Sequence, residues 1–282
     1  MPDQVDLAYC MTLPPAEAVA YLRGKGYAIT WDWEEMWQEA HAQAFTVAKA
    51  TKLDILEDIR QAVAKALAEG KTLRWFQKDL EPVLKAKGWW GRQETTDPVT
   101  GEPTSVQLGS PWRLETIYRV NLQSAYMAGR YKTMMENVDD RPYWQYVAIL
   151  DSRTRPSHRA LNGKVFRYDD PFWKSFYPPN GWRCRCRVRA LSADNLKADG
   201  LRVDTTEGKL GEVMKLVSKK TGEVRPVTTF TTRDPATLRN IVVAPDVGWS
   251  YNPGAAAWQP DTERYQGELR TLAERELGKR GG

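Results

Sequence analysis

Apolar side chains recur every three to four positions through most of the first 140 residues, and that period predicts helices. The stretch Leu13–Gly24 reads as a short helix, with prolines in its first turn and glycine at its exit. A second helix is expected after Asp32, whose carboxylate can cap while Glu35 sits three residues on. Trp33, Met36, Trp37, Ala40 and Ala44 would form its core stripe. Leu53 to Glu69 repeats the pattern with Leu53, Leu56, Ile59, Val63 and Leu67 inward, and Gly70 supplies a left-handed exit. Thr72 caps a helix around Leu73, Phe76 and Leu80. Ser110-Pro111 opens the longest helix, through about Glu136, with Leu114, Ile117, Tyr118, Ala125 and Met134 inward. Between them, Gly91 to Pro103 lacks a period and is rich in turn formers, which predicts an exposed hairpin or mobile loop.

The pattern changes after Arg141. Tyr143 to Leu150 is β-branched and aromatic without a breaker, a buried strand that runs into the polar turn Asp151–Arg155. A short helix, an Asn162-Gly163 turn and a Val165-Phe166 strand follow. Further strands are expected at Val213–Val217 and Val224–Thr232, a loop at Gly248–Gly254, and a charged helix over about Asp261–Leu277. No internal repeat is present. The fold class read from this order is α+β, with a helical N-terminal half and a strand-rich C-terminal half. Its segments are a helical region 1–140, a mixed region 141–260 and a charged tail 261–282.

Composition narrows the picture. The 282 residues include 12 Trp, 12 Tyr and 6 Phe, an aromatic load that argues against a disordered, solvating chain. No apolar run is long enough for a membrane span, and the acidic start Met1–Asp6 is unlike a secretory signal, so a soluble protein made in the cytosol is expected. The net charge of +5 permits anionic partners without singling out nucleic acid. Three cysteines are too few for a secreted disulfide framework.

The segment Arg183-Cys184-Arg185-Cys186-Arg187-Val188-Arg189 alternates strictly, which fits an extended strand with guanidinium groups on one face and Cys184, Cys186 and Val188 on the other. Arg183, Arg185, Arg187 and Arg189, with Arg153 and Arg155 of the polar turn, could meet phosphate, carboxylate or a partner protein, or form a solvated face of local ion pairs. On the opposite face two same-side sulfurs stand about 6.6 Å apart at Cα, so a disulfide would be strained. Buried free thiols or a shared metal remain. A tetrahedral zinc takes about four ligands, and the chain offers Cys184, Cys186, His158 and Asp151, with Cys10 distant in sequence. Asp151, a nearby Ser and His158 also invite a triad reading, but no nucleophile elbow is present. Walker, dinucleotide and His-Glu-x-x-His motifs are missing too.

Several motifs carry a resemblance. In order they are Lys25–Thr30, Phe45–Ala48, Leu108–Leu114, Tyr126–Arg130, Asp151–His158, Asp169–Trp173, Pro178–Trp182, Cys184–Val188 and Tyr251–Gly254. Together they resemble the F-protein-like minor head, or head morphogenesis, family of phage Mu and related prophages. The resemblance implies a low-copy structural protein of the tailed-phage head, made in the host cytoplasm and retained in the virion. It would associate with the portal protein or the inner head, contact other head proteins and packaged DNA without sequence preference, touch no membrane, and have no enzyme activity. Some relatives in other phage groups carry an additional Cys-x-x-Cys and a His near the Cys-x-Cys that look zinc-binding; here the aligned places hold Arg155, His158 and Gly181, so half of that site is missing. The rival expectations are an enzyme, a nuclease or protein-modifying domain using His158 with Asp151, and a non-specific DNA-binding protein.

Overall fold

The computed structural model describes residues 15–234, 237–257 and 266–272. Helix α1 (Pro15–Gly24) leads to the two-residue strand β1 (Gly26–Tyr27), a 3-10 turn (Trp33–Glu35), the single-turn helix α2 (Ala40–Gln43) and strand β2 (Ala44–Phe45). The continuous helix expected after Asp32 is therefore broken. Glu35 does reach back to the backbone N–H of Asp32 at 2.8 Å, but Met36 is extended and Gln38 has φ 42°. The competing force is nonlocal. Strand β2 pairs in parallel with β1 (Gly26↔Ala44), and the Lys49 ammonium donates to the Trp31 carbonyl at 3.1 Å and to the Asp32 carboxylate at 2.7 Å. Of the expected stripe, Met36 alone is buried.

Local signals hold where the helices are long. Helix α3 (Leu53–Glu69) ends at Gly70 with φ 62°, and α4 (Leu73–Ala86) starts where Thr72 accepts from the Trp75 N–H at 3.3 Å. Leu53 departs from its expected inward place: it opens α3 at 61% exposure. Strands β3 (Arg92–Thr96) and β4 (Pro103–Gln107) form the expected hairpin. Helix α5 (Pro111–Met135) is capped by Ser110, which accepts from Arg113 N–H at 3.2 Å.

Strand β5 (Tyr143–Val147) is shorter than the run to Leu150 that the sequence suggests. The Ala148 N–H is taken by Asn162 Oδ1 at 2.9 Å and the Ile149 carbonyl by the Thr154 hydroxyl, so no ladder can continue. Helix α6 (Pro156–Leu161), strand β6 (Val165–Arg167), helix α7 (Phe172–Phe176) and strand β7 (Arg187–Leu191) follow, with β5 central in an antiparallel β6-β5-β7 sheet. After helix α8 (Ala193–Ala198), strands β8 (Leu210–Leu216), β9 (Val224–Arg233) and β10 (Asn240–Val243) make a second three-stranded antiparallel sheet, and α9 (Pro253–Ala257) follows it. The architecture is α+β, strand-rich in its second half. The terminal charged helix falls largely outside the described residues. Among those described, no helix is long and apolar enough to cross a membrane.

Two apolar cores form, and α5 feeds both. Leu114, Ile117, Ala125 and Tyr126 pack with α1, α3 and α4, while Met127 and Met134 face the aromatic core of the second half. That second core stacks Phe166 on Phe172 at 4.1 Å and Phe172 on Phe176 at 4.9 Å. Tyr177 donates its hydroxyl to Met127 O at 3.0 Å, and Trp173 its indole N–H to Arg167 O at 3.0 Å. The aromatic, proline-rich stretch after Asp169 is thus held down by its own rings. Each fully buried ring of this size contributes about 1.5–3 kcal/mol, so the core rather than the short α7 helix fixes the loop that follows.

A candidate metal centre

That loop delivers two sulfurs beneath α6. The expected strand over Arg183–Arg189 begins only at Arg187, because Arg183 adopts φ 58° and the Cys184 N–H turns back to Gly181 O at 3.1 Å. Alternation of burial nevertheless persists, with Cys184, Cys186 and Val188 inward. Helix α5 grips this segment from behind: the Gln123 amide donates to Cys186 O at 2.8 Å, and Arg130 Nε donates to Val188 O at 2.5 Å. Helix α6, which opens at Pro156, carries His158 with its Nδ1 facing the sulfurs.

His158, Cys184 and Cys186 are all buried, and their ligand atoms lie within 4.8 Å of one another. His158 Nδ1 is 3.6 Å from Cys184 Sγ and 3.4 Å from Cys186 Sγ. Zinc–sulfur and zinc–nitrogen bonds of about 2.3 and 2.0 Å at a tetrahedral angle place N and S roughly 3.5 Å apart, so both separations match edges of a zinc tetrahedron. Burial acts to raise the Cys184 thiol, yet hydrogen bonds from Cys186 and His158 outweigh it and hold that sulfur well below its usual range. The hydrogen bond to Cys184, with burial, pushes Cys186 up. Of the two sulfurs, Cys184 is thus the one whose surroundings favour the thiolate, the form that binds metal. The three residues fit zinc.

Asp151 does not join them, which corrects its assignment as a fourth ligand. Its two oxygens are bound by Arg185 at 2.7 and 2.6 Å, and the Arg153 N–H donates to Oδ1 at 3.0 Å. The Arg185 hydrogen bond holds its carboxyl below the usual carboxylate range, so it stays charged and paired. Instead the cluster is flanked by oxygens that the sequence did not flag. Buried Tyr146 donates its hydroxyl to buried Asn180 Oδ1 at 2.9 Å, and burial followed by the sulfurs' charge raises the Tyr146 phenol well above its usual value. Arg155 pairs with Asp246 at 3.0 Å and donates to Trp182 O at 2.8 Å. A Cβ on Gly181 would collide with this pair, 2.2 Å from Asp246 Oδ2 and 3.1 Å from the Arg155 guanidinium. An ion pair thus fills the side of the site where Arg155 and Gly181 stand. Cys10 lies outside the described residues.

The arginines named from the sequence are engaged within the chain. Arg183 meets Glu115 at 3.1 Å, Arg189 meets Asp199 at 2.9 Å, and Arg153 lies 3.4 Å from Asp151. Arg187 is half-buried, and burial together with Arg189 lowers its pKa. Carboxylates from α5 and from the 151 and 199 turns thus neutralise much of the expected cationic face.

Residues 57–189, which hold His158 and both cysteines, match the family model described as Phage Mu protein F like protein. This stretch is a Mu F-like region. The resemblance read from the motifs is borne out by two curated relatives. One, from Escherichia phage Mu, is provisionally named capsid assembly protein F and is 51% identical over 277 residues, covering 97% of this chain and 61% of that protein. The other, the Mu-like prophage FluMu F protein of Haemophilus influenzae, is 45% identical over 252 residues, covering 88% of this chain and 58% of that protein. The chain spans about three fifths of the length of these relatives. No solved structure matches it.

Proposed function

We propose that this chain is a structural component of head assembly in a Mu-like tailed phage or prophage. It is present in low copy at the portal or the inner head surface, and it is required for a DNA-filled head. The observation that carries this reading is 51% identity over nearly the whole chain to a relative named for capsid assembly. A role without catalysis agrees with the site, because His158 and Asp151 have different partners: the imidazole Nδ1 faces two sulfurs, and the carboxylate grips Arg185. In this role His158, Cys184 and Cys186 hold zinc, which supplies a cross-link between α6 and the segment entering β7. Asn180 and Tyr146 orient the pocket, and α5 fixes its floor.

The test is genetic. A stop codon in this gene should leave heads without DNA, visible by electron microscopy, and supplying the chain in trans should restore them. The chain should also be found in purified virions. DNA-filled heads forming at the normal rate without it would refute the proposal.

A further inference from the structure

A cavity of about 550 Å³ opens between the first turns of α5, the 44–48 stretch, and the loops at 182–183 and 248–251. That volume is in the range that buries a small molecule or a few side chains. Its inner wall is aromatic: Trp182 meets Trp33 edge-on at 6.0 Å and Trp249 at 5.2 Å. At the mouth stands Trp112, 63% exposed despite its size. Large rings left open to water beside an apolar pocket are typical anchoring points of protein interfaces.

The charges are one-sided. Lys25, Arg113 and Arg183 line the cavity, and among the described residues no carboxylate does. Lys25 Nζ donates to His41 O at 2.6 Å, and the Arg113 guanidinium donates to the carbonyls of Gln107, at 2.5 Å, and Ala48. Arg183 shares Glu115 with Arg119, two guanidinium groups to one carboxylate, and stacks over Trp112 at 5.3 Å. Its side chain keeps 36% exposure, so a carboxylate arriving from outside can reach the guanidinium.

We infer that this cavity receives an aromatic or large aliphatic side chain from a partner protein, while a carboxylate on the same segment meets Arg183. The occupant is an acidic, apolar-anchored peptide segment. Apolar walls suit a side chain better than a base, whose polar edge needs several partners, and two of the three cations are already tied to carbonyls, which leaves little to bind a phosphate chain. The cavity wall at Trp182 and Arg183 runs directly into Cys184, so the metal centre and the docking site share one backbone segment. The inference deepens the assembly reading and rests on it for the partner's setting.

Isothermal titration of the purified full chain with the acetylated, amidated peptide Ser-Asp-Trp-Leu-Asp-Ser, and with its counterpart carrying Lys in place of both Asp, tests it. The acidic peptide should bind about tenfold more tightly or better. Trp112→Ala, at an exposed position where folding is spared, should weaken it by about tenfold. Thr116→Trp, which fills the cavity without changing charge, should abolish binding, and Arg183→Gln should erase the preference for the acidic peptide. Equal binding of the two peptides, no binding of either, or displacement of the peptide by a thymidine oligonucleotide in a Trp112-dependent manner would each overturn the inference. Head assembly is scored separately on particles, so failure here leaves that reading standing.

Discussion

Cys186 and Lys25 show how burial decides what single side chains do. At Cys186, replacing sulfur by oxygen in Cys186→Ser keeps the volume but removes a soft ligand. The wild-type chain should carry about one zinc and the variant far less by elemental analysis, with a lower melting temperature. Wild-type protein purified without chelators and holding well under one zinc would end the metal reading. Lys25 is a different case. Burial first, and Arg60 second, push its ammonium from 10.5 down to about 7. Below pH 7 the folded chain holds this charge in a dry place at a cost. Between pH 7 and 10.5 the unfolded chain binds more protons, so stability rises with pH, and above that range the cost is gone. Lys25→Met should therefore be more stable than wild type at pH 6 by about 1–3 kcal/mol, after the lost hydrogen bond is deducted. That gain should fade by pH 10 in urea titrations. A gain that does not change with pH would refute the assignment.

Among the elements, the β8–β9 hairpin depends on a clamp far from it in sequence. Lys220, in its turn, binds the carboxylates of Asp32, at 2.7 Å, and Asp97. The Lys220 hydrogen bond leads the causes that hold Asp97 at about 2. The clamp is complete above the ordinary carboxylate value of 3.8 and is lost as pH falls towards 2. Lys220→Met should speed amide exchange at 217–223 while α3 and α5 keep their protection; unchanged exchange in the turn would show that the strand ladder alone holds it. A second contact is steric. A Cβ on Gly129 would stand 3.0 Å from Ala18 N and 3.2 Å from Glu17 Cβ, so Gly129→Leu should pry α1 from α5 at a cost of about 1–3 kcal/mol. These elements also show what could be read in advance. The ends of α3, α4 and α5 were legible because Gly70, Thr72 and Ser110 act on neighbouring backbone. The break at 36–39 was not, since parallel β1–β2 pairing and Lys49 impose it from a distance. At the site, His158 and the cysteines were legible as residue types. Tyr146, Asn180 and Asp246 were hidden, because only the fold brings a strand, a turn and a distant loop together there.

For the whole molecule, the formal charge of +5 overstates what an anion would meet. Arg155, Arg183, Arg185 and Arg189 each face a carboxylate of the same chain, and Lys220 sits between two. A guanidinium held by its own carboxylate neutralises no phosphate and so releases no counterion from the DNA, which means it adds little to the salt dependence of DNA binding. The DNA-binding reading requires free cations arranged along a groove or face, each adding close to one unit to the slope of log affinity against log salt. Paired arginines predict a different result on duplex DNA between about 50 and about 200 mM salt: weak affinity and a slope no steeper than about 2. Removing an internal partner should then expose what the pairing conceals. Asp151→Asn frees Arg185 and Arg153 together, and it should steepen the slope by about one unit or more without touching the three metal ligands. A wild-type slope of about 5 or more would mean that a cationic face exists beyond these pairs, and contact with packaged DNA, rather than with head proteins, would become the stronger account of the surface.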